Sequence, residues 1–470
     1  MVEKNVNSAF FELLETFDKT EVVRFGKFVR SPFVTHRAEM SLIFAEISKC
    51  FLQKKAFPDK VALFKAGFPD KNYDDLLLRA TMSDLREMME DFLVFQKIKK
   101  DKTAARLLLA EELRERNQSR LFHQNAQKIE RFLAESPEKN ADHLRRVFDL
   151  QIEKTQFQTR TVRTGELNLQ EISDSLDRLF LAQKLRHACT QISHQAVFRI
   201  KYAFGLLPKV LDSVESDGHL AEPAVALYYY CYRFLTDPHS LIFFRKFRAE
   251  LSQHGHFFPF SELKNLYLLA LNFCIRQLNE GSEPFVREGW DLYREGLEGG
   301  FLLENGRLSG FTFNNVVAMG IKLKEFSAVE HFIETYAGRL EPAQKEPFTA
   351  FNLARIEWAR RNFGNAMVLL QKADFRDLVN SLISKTLLLK IYFELGETDL
   401  LDSHIDSFRT FIRRNDVSDF HRTNYTNILR FAHKLAMLPP SGKKERVKLR
   451  AEIEQSEPLS EKDWLLEKLG

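Results

Sequence analysis

The sequence predicts an all-α protein, and three observations carry that expectation. Apolar residues recur at three- and four-residue spacing along nearly the whole chain. Glycine and proline are scarce, 19 and 14 in 470 residues, and gather where periodic segments end. No run of alternating apolar and polar residues bounded by turn signals occurs, so no strand is expected.

Residues 1–100 read as an N-terminal helical domain. A first helix is expected near 7–17. Asp18-x-x-Glu21 has the layout of a capping box and opens a second, which stops before Ser31-Pro32 because proline disfavours helix in the residue preceding it. A third covers about 37–54, a short one about 59–66, and a long one about 73–97. Residues 101–218 continue as a helical middle region without a repeat register. Asn168-x-x-Glu171 marks a helix start, and loops are expected at Ser136-Pro137, Thr161–Gly165 and Asp217-Gly218.

From residue 219 to 438 the organisation changes to helix pairs. The expected pairs are 222–235 with 238–254, 260–279 with 284–297, 310–323 with 326–339, 347–361 with 363–373, and 381–395 with 397–413, followed by a helix at 418–437. Pro439-Pro440-Ser441-Gly442 then breaks the pattern. Residues 439–470 form a polar tail with an amphipathic end, Trp464, Leu465, Leu466 and Leu469, for which two outcomes are open: folding back as a cap or staying partly mobile.

Composition excludes several classes. Charged residues, 69 basic against 65 acidic, nearly balance, and this gives no general attraction to nucleic acid or membrane. The 43 phenylalanines imply aromatic helix interfaces. Cys50, Cys189, Cys231 and Cys274 lie far apart in apolar helical stretches and are expected as buried free thiols. The N-terminus lacks a signal-peptide layout, and the longest apolar runs, 225–232 and 266–275, are too short to span a bilayer, so a cytoplasmic protein is expected.

No nucleotide loop, nucleophile elbow or metalloprotease motif occurs, and no enzymatic activity, cofactor or metal is expected. His254 and His256 have no acidic or cysteine partner nearby in sequence, and His187 with His194 would need further ligands from elsewhere. The basic runs 97–102 and 441–450 read as a helix end and a solvated tail segment.

Residues 351–373, FNLARIEWARRNFGNAMVLLQKA, carry a repeated register. Asn352-Leu353-Ala354 is followed by Phe363, Ala366, Leu370 and Ala373. Thirty-seven residues earlier stand Asn315, Val316, Phe326, Val329, Ile333 and Tyr336. Thirty-five residues later stand Leu388, Tyr392, Gly396, Leu401, Ile405 and Phe408. This pattern resembles the tetratricopeptide repeat, a helix–turn–helix unit of about 34 residues. The inter-helix glycine of that family is Arg361 here, and a usual first-helix aromatic is Glu357. The chain also resembles helical proteins of bacterial type, which implies a fold and no activity.

The resemblance implies a right-handed α-solenoid of stacked antiparallel helix pairs behind the N-terminal helical domain, because one pair cannot bury its apolar face alone. It also implies a groove on the first helices that takes an extended peptide. The matching positions are Phe311, Asn314 and Lys322, then Phe351, Arg355 and Trp358, then Thr386, Lys390 and Phe393. Asparagine there holds peptide backbone, and Lys or Arg meets carboxylates. The expected function is a non-enzymatic interaction scaffold with a protein or peptide partner.

A second reading rests on residues 63–93, which resemble the helix–turn–helix half of a winged-helix domain and suggest a transcriptional regulator with a helical-repeat sensor. The helix that would read DNA carries Asp74, Asp75, Asp84, Glu87, Glu90 and Asp91 against Arg79 and Arg86. Phosphate repels such a helix, so nucleic acid is not the expected partner.

Overall fold

The computed structural model describes residues 8–34, 37–161, 167–198, 200–237, 241–279, 282–375, 377–439 and 442–470. Among them are 23 α-helices and no strand. The first five are α1 (Ser8–Glu15), α2 (Lys19–Val29), α3 (Ala38–Gln53), α4 (Lys60–Gly67) and α5 (Asp75–Lys100). Then come α6 (Lys102–Glu115), α7 (Ser119–Glu135), α8 (Ala141–Thr161), α9 (Leu169–Phe198) and α10 (Leu207–Ser216). The paired region holds α11 (Pro223–Thr236), α12 (Leu241–His254), α13 (Phe260–Asn279), α14 (Pro284–Glu298), α15 (Gly310–Lys322), α16 (Phe326–Tyr336), α17 (Pro342–Ala359), α18 (Phe363–Leu370), α19 (Leu378–Leu395), α20 (Thr398–Arg414) and α21 (Asp419–Ala436). The chain closes with α22 (Lys443–Gln455) and α23 (Lys462–Leu469). The loop expected at Thr161–Gly165 falls largely outside the described residues.

Two compact units result. One holds residues 1–184 with 213–225, the other 185–212 with 226–470. In the first, Asp18 and Glu21 complete the capping box: the Glu21 amide donates to the Asp18 side chain at 2.8 Å, and the Asp18 amide donates to Glu21 at 3.1 Å. Helices α1 to α5 share one buried cluster that includes Phe10, Phe25, Phe44, Phe64 and Phe92. Helices α6 to α8 pack around stacked Phe122 and Phe157, with ring centroids 4.2 Å apart, and Arg114 meets Glu153 at 2.7 Å in a nearly buried ion pair. The largest fully buried side chains of the whole chain are all phenylalanines among the described residues, which explains the bias in composition.

In the second unit each helix from α13 to α20 packs on its successor, and α21 packs on α23. The first helices of successive pairs, α15, α17, α19 and α21, also pack on one another. Of the second-helix positions of the register, Val329, Ile333, Ala366, Leu370, Ala373, Leu401, Ile405 and Phe408 are buried, and Phe326, Tyr336 and Phe363 are half-buried. Helix α17 starts at Pro342 and not at the expected 347, so Pro347 lies inside it. Pro342 takes the first helical position, where a missing N–H costs nothing, and Pro347 leaves free only the Ala343 carbonyl one turn from the helix start.

The junctions inside the pairs share one backbone device. Lys324, Arg361 and Gly396 have φ of 60°, 63° and 71°, the left-handed region. Around each, the amide of the following residue donates back five residues: Glu325 to the Gly320 carbonyl at 2.9 Å, Asn362 to Glu357 at 2.8 Å and Glu397 to Tyr392 at 3.1 Å. This is the Schellman closure of a helix, and it recurs at the spacing of the sequence register. Glycine adopts this backbone without strain, whereas an L side chain costs roughly 1 kcal/mol. The Arg361 side chain is exposed, and Glu394, which it meets at 3.5 Å, keeps Lys468 as a closer partner, so Arg361→Gly is expected to stabilise the chain by about 0.5–1 kcal/mol and Arg361→Val to destabilise it by a similar amount, read from urea unfolding midpoints.

The C-terminal residues fold back. Leu449, Ile453, Leu459, Trp464, Leu465 and Leu469 enter one buried cluster with Leu382, Leu389, Ile405, Ile428 and Phe431. Asn424 of α21 pins the connecting segment, accepting from the Ser460 amide at 2.7 Å and donating to its hydroxyl at 3.1 Å. Cys189, Cys231 and Cys274 are buried free thiols as expected, and burial pushes the Cys231 and Cys274 thiols well above their ordinary range. Cys50 is only half-buried, which corrects the expectation for that residue. No helix among the described residues is long and apolar enough to cross a membrane.

Candidate binding cavity on the first helices

Helices α15, α17 and α19 present a polar seam through otherwise apolar packing. It begins at Asp377, the N-cap of α19, whose carboxylate accepts from the Asn380 side chain at 3.0 Å. Asn314 of α15 donates to Asn380 at 3.1 Å, and Asn352 of α17 donates to Asn314 at 2.7 Å. Arg355 Nη1 closes the series, donating to the Asn352 side-chain oxygen at 3.1 Å and to the Asn314 carbonyl at 3.0 Å. Asn352 and Asn380 are 0% and 3% exposed, so each amide must be paired to be tolerated there. The series fixes the relative rotation of three helices and holds the Arg355 guanidinium in one place.

That guanidinium lines a cavity of about 370 Å³. The walls are Ala318 and Ile321 of α15, Phe351 and Trp358 of α17, and Ile383, Thr386, Leu387 and Lys390 of α19, with Glu461 entering from the residue before α23. Arg355 lies over the Phe351 ring at 5.7 Å. Lys390 pairs with Glu461 at 2.8 Å and sits between two indoles, 5.2 Å from Trp358 and 5.4 Å from Trp464. A second cavity of about 730 Å³ shares Ile383, Thr386 and Glu461.

The electrostatics are uneven. Two cations, Arg355 and Lys390, face one carboxylate, Glu461, which leaves the cavity with one excess positive charge. Among the described residues no carboxylate stands within ion-pair distance of Arg355. Burial pushes its pKa down to about 10, an effect the Glu461 charge opposes, so it stays protonated at neutral pH while lacking full compensation. A site of this kind favours an anionic group with an apolar neighbour, because the charge is desolvated and the walls are aromatic and aliphatic.

Of the positions proposed from the repeat, the structure brings Asn314, Phe351, Arg355, Trp358, Thr386 and Lys390 to this cavity. Lys322 is exposed at the C-terminal end of α15 and does not line it, and Phe311 is 70% exposed at the other end. Phe393 packs instead on Trp464, with centroids 5.3 Å apart. Sequence reasoning missed Glu461, which lies 71 residues beyond its partner Lys390 and has no local signal. It also missed the roles of Asn352 and Asn380, although an amide on an apolar helix face was a usable clue. The structure corrects the reading of His254, which does have an acidic partner nearby in sequence: Glu250, one helical turn earlier, meets it at 2.8 Å. His194 meets the Tyr202 hydroxyl at 2.9 Å.

Compared with known proteins, the chain matches no family model, no curated protein and no solved structure.

Proposed function

We propose that this chain is a non-enzymatic, cytoplasmic interaction scaffold that binds a protein or peptide partner through the cavity on α15, α17 and α19. In this reading residues 219–438 form a right-handed, tetratricopeptide-like solenoid of antiparallel helix pairs. The recurrent left-handed residues at 324, 361 and 396 and the mutual packing of the first helices support it. The observation that carries the functional proposal is the excess charge: a desolvated Arg355 beside the Lys390–Glu461 pair, walled by Phe351 and Trp358. A carboxylate of the partner would complete the pairing of Arg355, and an adjoining apolar side chain would fill the rest of the cavity.

The DNA-contacting alternative lacks, among the described residues, the wing that its family resemblance calls for. The candidate reading helix α5 passes into α6 through Asp101 alone, which leaves no room for a β-wing after it.

A photo-reactive amino acid tests the location of binding in the native cell. Placed at Ile383, which is 39% exposed and lines both cavities, it is expected to capture one dominant protein. Placed at Val447, 70% exposed on α22 and away from either cavity, it is expected to capture that protein poorly or not at all. Equal yields at both positions, or none at Ile383, would contradict the proposal.

A further inference from the structure

Two lysines of the basic run at 97–102, Lys99 and Lys100, line a further concave surface, in the first unit. Helix α2, the turn after it and the C-terminal third of α5 face each other across a groove of about 1000 Å³. Its floor is aromatic. Phe92 is only 3% exposed, and Phe28 packs on it and on Phe95, with centroids 5.5 and 6.0 Å away. Its rim is basic, with Arg24 and Lys27 on α2 and Lys99 and Lys100 on α5 against a single acid, Asp91. None of these four cations has a carboxylate partner among the described residues. Two further features are unusual for a bare surface. Phe33, in the turn after α2, is 98% exposed. The Gln96 side-chain nitrogen is buried at the groove with no hydrogen-bond partner.

We propose that this groove docks an acidic amphipathic helix of a protein partner. The apolar face of that helix meets Phe28, Phe33 and Phe95, and its acidic residues meet the four cations. The stretch of α5 from Asp91 to Lys100 spans about 14 Å at the α-helical rise, which sets the docked length at two to three turns. A bilayer does not suit this surface, because a flat membrane cannot reach the recessed Phe92. A nucleic acid strand does not suit it either. Stacking successive bases needs several free ring faces, and only Phe33 offers them: Phe28 and Phe95 are tilted against their neighbours and Lys99 covers Phe95 at 5.2 Å. This surface shares no residue with the Arg355 cavity, so the inference stands apart from the function proposed above.

Fluorescence anisotropy on the full-length protein tests it. The probe is a labelled peptide of about four turns, with Leu and Phe at i, i+3, i+4 and i+7 and Glu and Asp elsewhere. Controls are the same composition in scrambled order, an oligothymidine strand and phosphatidylserine vesicles. The amphipathic peptide is expected to bind more tightly than every control, and to weaken as salt rises. Lys27→Glu with Lys99→Glu is expected to weaken binding by about tenfold or more. Phe33→Ser, at a position too exposed to affect folding, is expected to weaken it by about fivefold. The inference is overturned if the scrambled peptide binds as well, if the variants leave affinity unchanged, if oligothymidine or vesicles bind more tightly, or if the peptide does not bind below about 1 mM.

Discussion

Deletion of residues 443–470 is expected to leave the second unit unable to hold its native structure. The deleted segment contributes six buried apolar side chains, Leu449, Ile453, Leu459, Trp464, Leu465 and Leu469, to the cluster around α19, α20 and α21. At about 1.5–3 kcal/mol for each buried side chain, the loss is on the order of ten kcal/mol, comparable with the whole stability of a typical domain. The deletion also leaves Glu394, 9% exposed, without Lys468 at 2.5 Å and without the Trp464 indole N–H at 3.3 Å. A single substitution isolates the packing share: Trp464→Ala is expected to cost about 3–5 kcal/mol. Urea unfolding followed by circular dichroism reads both variants. A truncated chain with an unchanged midpoint would show that the segment lies on the fold without supporting it.

Arg355→Gln is expected to weaken partner binding by roughly a hundredfold, about 3 kcal/mol, while stability changes by about 1 kcal/mol or less. The contrast follows from the two environments of the side chain. Toward the protein, Arg355 makes neutral hydrogen bonds to the Asn314 carbonyl and the Asn352 amide oxygen, and a glutamine amide also donates to such acceptors. Its charge gains little from the fold, since burial pushes its pKa down to about 10. Toward the cavity, Arg355 is the cation that Glu461 does not pair, so removing it makes the site neutral. Glutamine is a better test than glutamate, which would place a second carboxylate beside Glu461 and destabilise the chain for reasons unrelated to binding.

Much of the fold was legible in the sequence because its helix ends are written in local chemistry. Asp18 with Glu21 opens α2, Ser31-Pro32 follows its end, and Gly396 closes α19. Arg361 was legible as an anomaly, and the structure gives its meaning: the left-handed backbone is kept while the glycine is not. The start of α17 was misplaced because two prolines competed for the first helical position and only packing decides between them. The candidate site was legible on the faces of α17 and α19, where helical spacing alone carries Arg355, Trp358 and Lys390 to one side. It was not legible in Glu461, which reaches Lys390 only because α22 and α23 fold back under the anchorage of Asn424 and Asn427. The fold-back itself was legible in the amphipathic end at Trp464, Leu465, Leu466 and Leu469, but the polar composition around it gave no sign of which residue it would deliver to the cavity. Residues 439–470 bury few side chains for their length, but those few are Trp, Leu and Ile at positions that meet α19 and α21.

The central claim is that Arg355 is held in the cavity to meet a partner's carboxylate. The most direct measurement is a calorimetric titration of the captured partner against the full-length chain and its Arg355→Gln variant, with matched circular dichroism spectra as the control for folding. The expected result is saturable binding to the native chain and a loss of about a hundredfold in the variant. Equal affinity in two equally folded proteins would contradict it and would return Arg355 to a purely structural place at the end of the asparagine series.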